Sequence, residues 1–454
     1  MLFRSFAAAA ALTLAAIPAA AQTFTKDVAP ILQRSCQSCH RPGSVAPMSL
    51  ITYEDVRPYA RAIKQRTQLR DKPGVMPPWY IEKNVGIQHF KDDMSLSEAE
   101  LATIAAWVDK GAPRGDLSDL PPPVTFADDR AWKMGTPDLI VSSPTVEMKA
   151  IAPDWFGVIG ESPTNQAEDR YVAAIEIKEV NDARGRHSDR ATVGGLYTFH
   201  HAAFGVVGPD GRSSFGGWPV HEVGRNPDVF DPEAGKLLPA NARLSFLSVH
   251  LHSNGLDTKA HLEVGFKFHP KGYKPRLNFQ PLFVGNGPDL DIRAMEANQR
   301  VDAYFTRAQH AKLMTFEPHM HAPGVRMCVE AIWGVTVQTL NCAGYNHSWV
   351  RVYTYADDAA PLLPKGTILH VIGYFDNSPA NKNVADPRNW SGSGHRSVDN
   401  MMINLIQSIY LKDDEFEAEL AKRRTTLGLR PGQSTIGCPT CGAPLPVRTA
   451  GDQK

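Results

Sequence analysis

Between Trp132 and residue 412 the chain shows almost no helical periodicity, and this constrains its fold more than any other feature. Runs such as 171–177, 243–250 and 264–269 are short, rich in β-branched and aromatic residues, and divided by Gly, Pro, Asn and Asp. Many short strands with turn signals between them pack as sandwiches rather than bundles. The 35 Gly and 35 Pro fit a loop-rich β protein. At 454 residues the chain spans roughly three domains of about 150 residues. The β region divides into two similar-sized halves, 136–285 and 286–430, each long enough for its own core. No internal repeat relates them, and helical periodicity returns only at Asp413.

Ahead of this region the texture differs. Residues 1–21 read as a cleaved secretory signal: Arg4, an apolar run over 7–17, and the small residues 18–21 before Gln22. The apolar run is too short to span a bilayer comfortably, and no later segment approaches about 18 apolar residues. The expectation is a periplasmic protein without an integral membrane segment; an uncleaved N-terminal anchor is the alternative. Lys+Arg and Asp+Glu both total 48, so no basic excess points to nucleic acid.

The six cysteines form three pairs, 36/39, 328/342 and 438/441. Cys36-Gln37-Ser38-Cys39-His40 has the Cys-x-x-Cys-His spacing that attaches a c-type haem, with His40 placed as the proximal ligand. A CxxC disulfide beside a chance histidine is the alternative. Met76 is favoured as the sixth ligand over Met48 and His89, since a methionine trans to histidine raises the potential of an electron-transfer haem. Ser97 and Glu100 form a capping box. Leu101, Ile104, Ala105 and Val108 follow at helical spacing, and Gly111-Ala112-Pro113 ends the helix. A cytochrome c-like haem domain is therefore expected over 22–116, then a Pro-rich linker over 117–135. Cys328 and Cys342 flank a turn at Trp333-Gly334 and predict a cross-strand disulfide. Cys438 and Cys441 have no following histidine and no second ligand pair, so they predict a small disulfide loop in a flexible tail, 431–454.

The histidines carry the chemistry. His319-Met320-His321 puts two imidazoles on one face of a strand, because side chains alternate with period two. His200-His201, Val249-His250-Leu251-His252 and Asp399-Asn400-Met401-Met402 accompany them. Imidazoles joined by a thioether point to copper. A zinc hydrolase using His319 and His321 is a further alternative, against which Met401 argues, because zinc sites are built from Cys, His and carboxylate ligands.

In this order the segments of 136–412 resemble the copper type II ascorbate-dependent monooxygenases, the family of peptidylglycine α-hydroxylating and dopamine β-monooxygenases. The resemblance implies two jelly-roll-like all-β sandwiches, each carrying one of two copper ions across a solvent-filled cleft. It implies that His200, His201 and His250 hold the electron-delivering copper, and that His319, His321 and Met401 hold the copper where oxygen reacts. Met401 is preferred to Met402 because Asp399-Asn400-Met401 matches the family's Asp-Glu-Met segment. His252 has no ligand role in this match. The whole chain also resembles bacterial fusions with an N-terminal cytochrome c, here through residues 46–50, 52–58 and 76–79. Glu317 and Ile403 replace an arginine and an asparagine that hold a peptide carboxylate in relatives, which favours a small, less anionic substrate. The implied function is hydroxylation of a C–H bond with O2. The electrons come from an ascorbate-like reductant or from a periplasmic donor through the fused haem. An electron-transfer or copper-binding protein without hydroxylase activity is the alternative.

Overall fold

The computed structural model describes residues 22–128, 131–183, 193–214, 217–225, 227–396 and 398–442; the expected signal, 1–21, lies outside them. Strand dominates, and apart from the single turn Val193–Leu196 the helices lie towards the two ends, as the texture predicts.

The helical module packs Ala29–Ser35, Ala60–Thr67 and Glu98–Asp109 around Leu32, Val56, Ile104 and Trp107. The Ser97–Glu100 capping box forms at the start of Glu98–Asp109. That helix buries Leu101, Ile104 and Trp107, so the indole replaces Ala105 in the expected stripe. The segment 79–91 lies inside the expected haem domain yet leaves its core. Trp79, Tyr80, Ile81, Ile87 and Phe90 are buried in the core of the distant C-terminal half. Backbone bonds from Glu82 to Cys342 and from Ile87 to Leu340 pin the segment there. Its apolar side chains find a larger surface to bury against than four short helices offer.

The first sandwich is antiparallel throughout. One sheet runs Leu139–Ser142, Thr258–Phe268, Arg170–Asn181, Lys236–Leu238. The other centres on Arg243–Leu251 and Phe199–Val207, with Trp155–Gly157 and His221–Glu222 at its edges. Phe204, Phe246, Val264 and Phe266 fill the space between them. Lys236 lies over the Trp218 ring at 4.4 Å and donates to the Gly217 carbonyl. Burial lowers its pKa from the ordinary 10.5 to about 7. The unfolded chain therefore binds more protons than the folded one across that window, and stability rises as pH climbs from about 7 towards 10.5. Chemical denaturation across this range should show Lys236→Met losing that rise relative to the parent chain.

The second sandwich pairs Asn278–Gly285, Met402–Leu411, His310–Leu313 and Leu362–Leu363 in one sheet, with Pro318–Met320 added against Met402–Leu411. The facing sheet runs Gln299–Thr306, Ile368–Phe375, Gly324–Trp333, Thr336–Gly344. Cys328 and Cys342 oppose each other across the last hairpin and are bonded, with Gly334 at φ +59° in its turn. Cys438 and Cys441 are bonded too, but 431–442 is no flexible tail. Both cysteines are buried with Phe416 and Leu420 of the helix Asp413–Leu427, and Leu362 donates to the Gly437 carbonyl at 2.7 Å. The short disulfide loop is apolar enough to dock. Residues 443–454 lie outside the described set.

Candidate metal centre

His200 and His201 are neighbours, so an ideal strand would turn them to opposite faces. A bulge prevents this. His250 pairs with His201 and Leu251 with Phe199, which leaves His200 as the extra residue of the ladder. Phe199 and Ala202, three positions apart, both enter the sandwich core, and the two histidines between them turn outward together. On the same sheet Glu222 pairs with His201, and His250 pairs in turn with Phe156. Directly paired residues share a face, so Glu222, His201, His250 and Phe156 form one row across four strands.

The second sandwich meets this row with its own. Met320 and Met402 oppose each other and both sink into its core, Met402 against Gly373. His319 and His321 therefore turn outward, as period two predicts. The ladder ends at the Met320–Met402 pair, and Met402 is committed to packing; Met401, half-buried, immediately precedes that strand. The second half of the chain touches the first row at both ends. Glu222 hydrogen-bonds His319 Nδ1, and His395 stacks on Phe156 at 5.0 Å.

The ligand atoms of His200, His201 and His250 lie within 4.8 Å of one another, and so do those of His201, His319 and His321. His201 belongs to both groups. The cleft that the resemblance implies is closed in this structure, and the two donor sets adjoin in one chamber. His347, on the turn after strand Thr336–Gly344, stacks on His200 at 4.2 Å and lies 6.2 Å from His321. His252 stands at the margin, 5.7 Å from His200.

These imidazoles suit a metal. Each ligand histidine in a metal site commonly has its outer nitrogen held by a carboxylate or carbonyl, which fixes the inner nitrogen as a donor. His200 Nε2 donates to the His347 carbonyl at 3.1 Å, leaving Nδ1. His250 Nε2 meets Asp154 at 3.2 Å, and its buried Nδ1 has no partner among the described residues. His321 Nδ1 donates to the Asp399 carbonyl at 3.3 Å, and its buried Nε2 likewise has no partner. His319 uses Nδ1 on Glu222 and keeps Nε2. Burial, reinforced by neighbouring imidazoles, holds the pKa values of His200, His201 and His321 well below the ordinary histidine value. They are neutral at pH 7, the form that binds metal. Burial pushes His319 the same way, but the Glu222 carboxylate outweighs it and the pKa is raised.

Behind His319 lies a buried charge network. Arg225, its side chain 6% exposed, is bidentate to Asp228 at 2.8 and 2.9 Å and pairs with Glu317, while Glu222 stands 3.9 Å away. Burial pushes Glu317 up to about 7 against the pull of Arg225. Glu317 is thus engaged internally and offers no clamp to a ligand. Glu222, Asp154 and His347 have no part in the sequence motifs. The one local cue was His221-Glu222, a polar pair set in the short apolar stretch 218–223.

In the helical module Cys36 and Cys39 are free thiols, whereas the other four cysteines are bonded. His40 Nδ1 donates to the Met48 carbonyl at 3.3 Å, which leaves Nε2 as the unprotonated ring nitrogen of the neutral imidazole. The Met48 backbone thus sits behind the imidazole. Met76, 40% exposed on its loop, is not held in that position. His89 is paired with Asp358 at 2.9 Å. Free thiols beside a tautomer-fixed histidine suit a covalently attached haem.

No protein-family model matches the chain, and no curated protein matches it. Among the described residues no helix is long and apolar enough to cross a membrane.

Proposed function

We propose that this protein is a periplasmic copper-dependent monooxygenase that hydroxylates a C–H bond of a small organic substrate with O2, taking electrons through a c-type haem. The observation that carries this reading is the orientation of the imidazoles. His200, His250, His319 and His321 each keep one ring nitrogen for the chamber while an outer acceptor holds the other.

The donor sets differ as the chemistry requires. Three imidazoles, His200, His201 and His250, serve both copper oxidation states. His319 and His321 with the Met401 thioether favour Cu(I), the state that meets oxygen. Copper in these sites supplies single electrons and activates oxygen. Burial holds His200, His201 and His321 neutral, and His201, His250, His319 and His321 are all buried away from water. Glu222 and Asp154 orient His319 and His250 from outside. Arg225 neutralises the carboxylates packed behind the chamber. Cys36, Cys39 and His40 would hold the haem, with Met76 favoured as the further iron ligand.

The test is metal analysis with optical and EPR spectra on copper-reconstituted full chain, followed by product formation with and without O2. Two type 2 coppers and one low-spin haem per chain, with O2-dependent hydroxylation, are expected. His40→Ala should then suppress turnover from a protein or dye donor and spare turnover from ascorbate. Haem with one copper or none would instead indicate an electron carrier, and bound zinc a hydrolase.

A further inference from the structure

His347 lies outside every motif of the sequence, yet it is where the second sandwich grips the metal site of the first. It is 8% exposed, and its ring stacks on His200 at 4.2 Å and 30°. Its carbonyl, 3.1 Å from His200 Nε2, accepts the proton that makes Nδ1 the free donor. That Nδ1 stands 3.4 Å from His201 Nδ1, among the three imidazoles of the first site. His250 has an outer partner on its own sandwich in Asp154, but His200 borrows its partner from the other.

The turn that carries His347 is built to stay in place. Asn346 accepts from the Ser348 backbone at 3.0 Å and donates to the Tyr80 hydroxyl at 3.1 Å. Tyr80 is itself 2% exposed and fixed through its backbone N–H to the Tyr353 hydroxyl at 3.2 Å. On the far side Trp349 packs against Gly224, where an added Cβ would meet the indole at 2.7 Å. Three parts of the chain thus converge on the turn: segment 79–91, the first sandwich through Gly224 and His200, and the second sandwich that bears it. Burial, followed by the neighbouring imidazoles, brings the His347 pKa down to about 3, so the ring enters the chamber neutral.

We propose that His347 is a positioning residue for the metal held by His200, His201 and His250: its ring and carbonyl, supplied by the opposite sandwich, fix the tautomer and angle of His200. The first site is then complete only when the sandwiches are closed. The inference rests on the reading of this chamber as a copper centre, but not on the reaction performed there.

The experiment is competition titration of the full chain with a Cu(I) chelator, which resolves two classes of site; His250→Ala identifies the first. His347→Ala keeps the carbonyl and removes only the stacked ring, so it should weaken that class by less than the roughly 10- to 100-fold of a lost outer partner, and leave the class of His319 and His321 unchanged. His347→Phe keeps a flat ring on His200 and should restore most of the affinity. The Cu(II) EPR hyperfine splitting should shift for the first class alone. Should His347→Ala fail to fold, Tyr80→Phe, which only frees Asn346, should give a smaller loss in the same class. Unaltered affinity in these variants, or equal loss at both sites in step with the melting temperature, overturns the inference alone. A parent chain that binds no copper overturns the functional reading and the inference with it.

Discussion

Replacing His321 with alanine should reduce copper from two ions per chain to one and lower O2-dependent hydroxylation by at least about 100-fold, the upper end of what loss of a mere outer partner costs. His321 is fully buried, and its Nε2 has no partner among the described residues. A buried polar atom left unsatisfied costs on the order of 1–3 kcal/mol, so its persistence in the fold argues for a ligand. Alanine removes that donor and leaves His319 with Met401, too few groups to hold copper in competition with His200, His201 and His250. Glu222→Gln provides the graded companion. It keeps the shape and removes the charge from His319 Nδ1, so activity should fall about 10- to 100-fold while copper still loads at saturation. Metal analysis beside product assays separates the two outcomes. Full copper content in His321→Ala would exclude His321 as a ligand.

Arg225→Met should cost about 3–5 kcal/mol of folding stability, the usual result of removing one partner from a buried ion pair. The guanidinium is bidentate to Asp228 and pairs with Glu317, and both carboxylates are 8% exposed or less. Without it Glu317 and Asp228 remain buried and uncompensated. Glu317 already has its pKa pushed up to about 7 by burial and would take up a proton instead of holding its charge. Urea unfolding gives the measure. The double variant Arg225→Met/Glu317→Leu should recover part of the loss, because it removes charge from both sides. A single variant as stable as the parent would show that the network contributes no net stability. Asp228 also accepts from Gln407 of the second sandwich at 2.6 Å, so the same change should loosen the joint between the sandwiches.

Much of this was legible in the sequence wherever the cause is local. The capping box of Ser97 and Glu100 needs residues three apart. The outward pair His319 and His321, with Met320 inward, needs only the alternation of a strand. The Cys328–Cys342 bond needs one hairpin. Other features were hidden because their cause lies far along the chain. His200 and His201 share a face through a bulge, and a bulge is set by pairing with a strand some 50 residues later. Glu222 reaches His319 across 97 positions, and His200 reaches His347 across 147. Segment 79–91 reads as part of the haem domain until the second sandwich presents a larger apolar surface to it.

The sequence by itself determined the parts: a helical module with a Cys-x-x-Cys-His motif, two β halves, and three histidine segments. These follow from spacing, caps and periodicity, which depend on neighbours. Tertiary structure alone decided how the parts combine: which ring nitrogen each histidine keeps free, that His201 stands in both donor groups, and that the ring and carbonyl of His347 meet His200 from the opposite sandwich. Those outcomes depend on sheet register and on the packing of one sandwich against the other, and no local pattern encodes either.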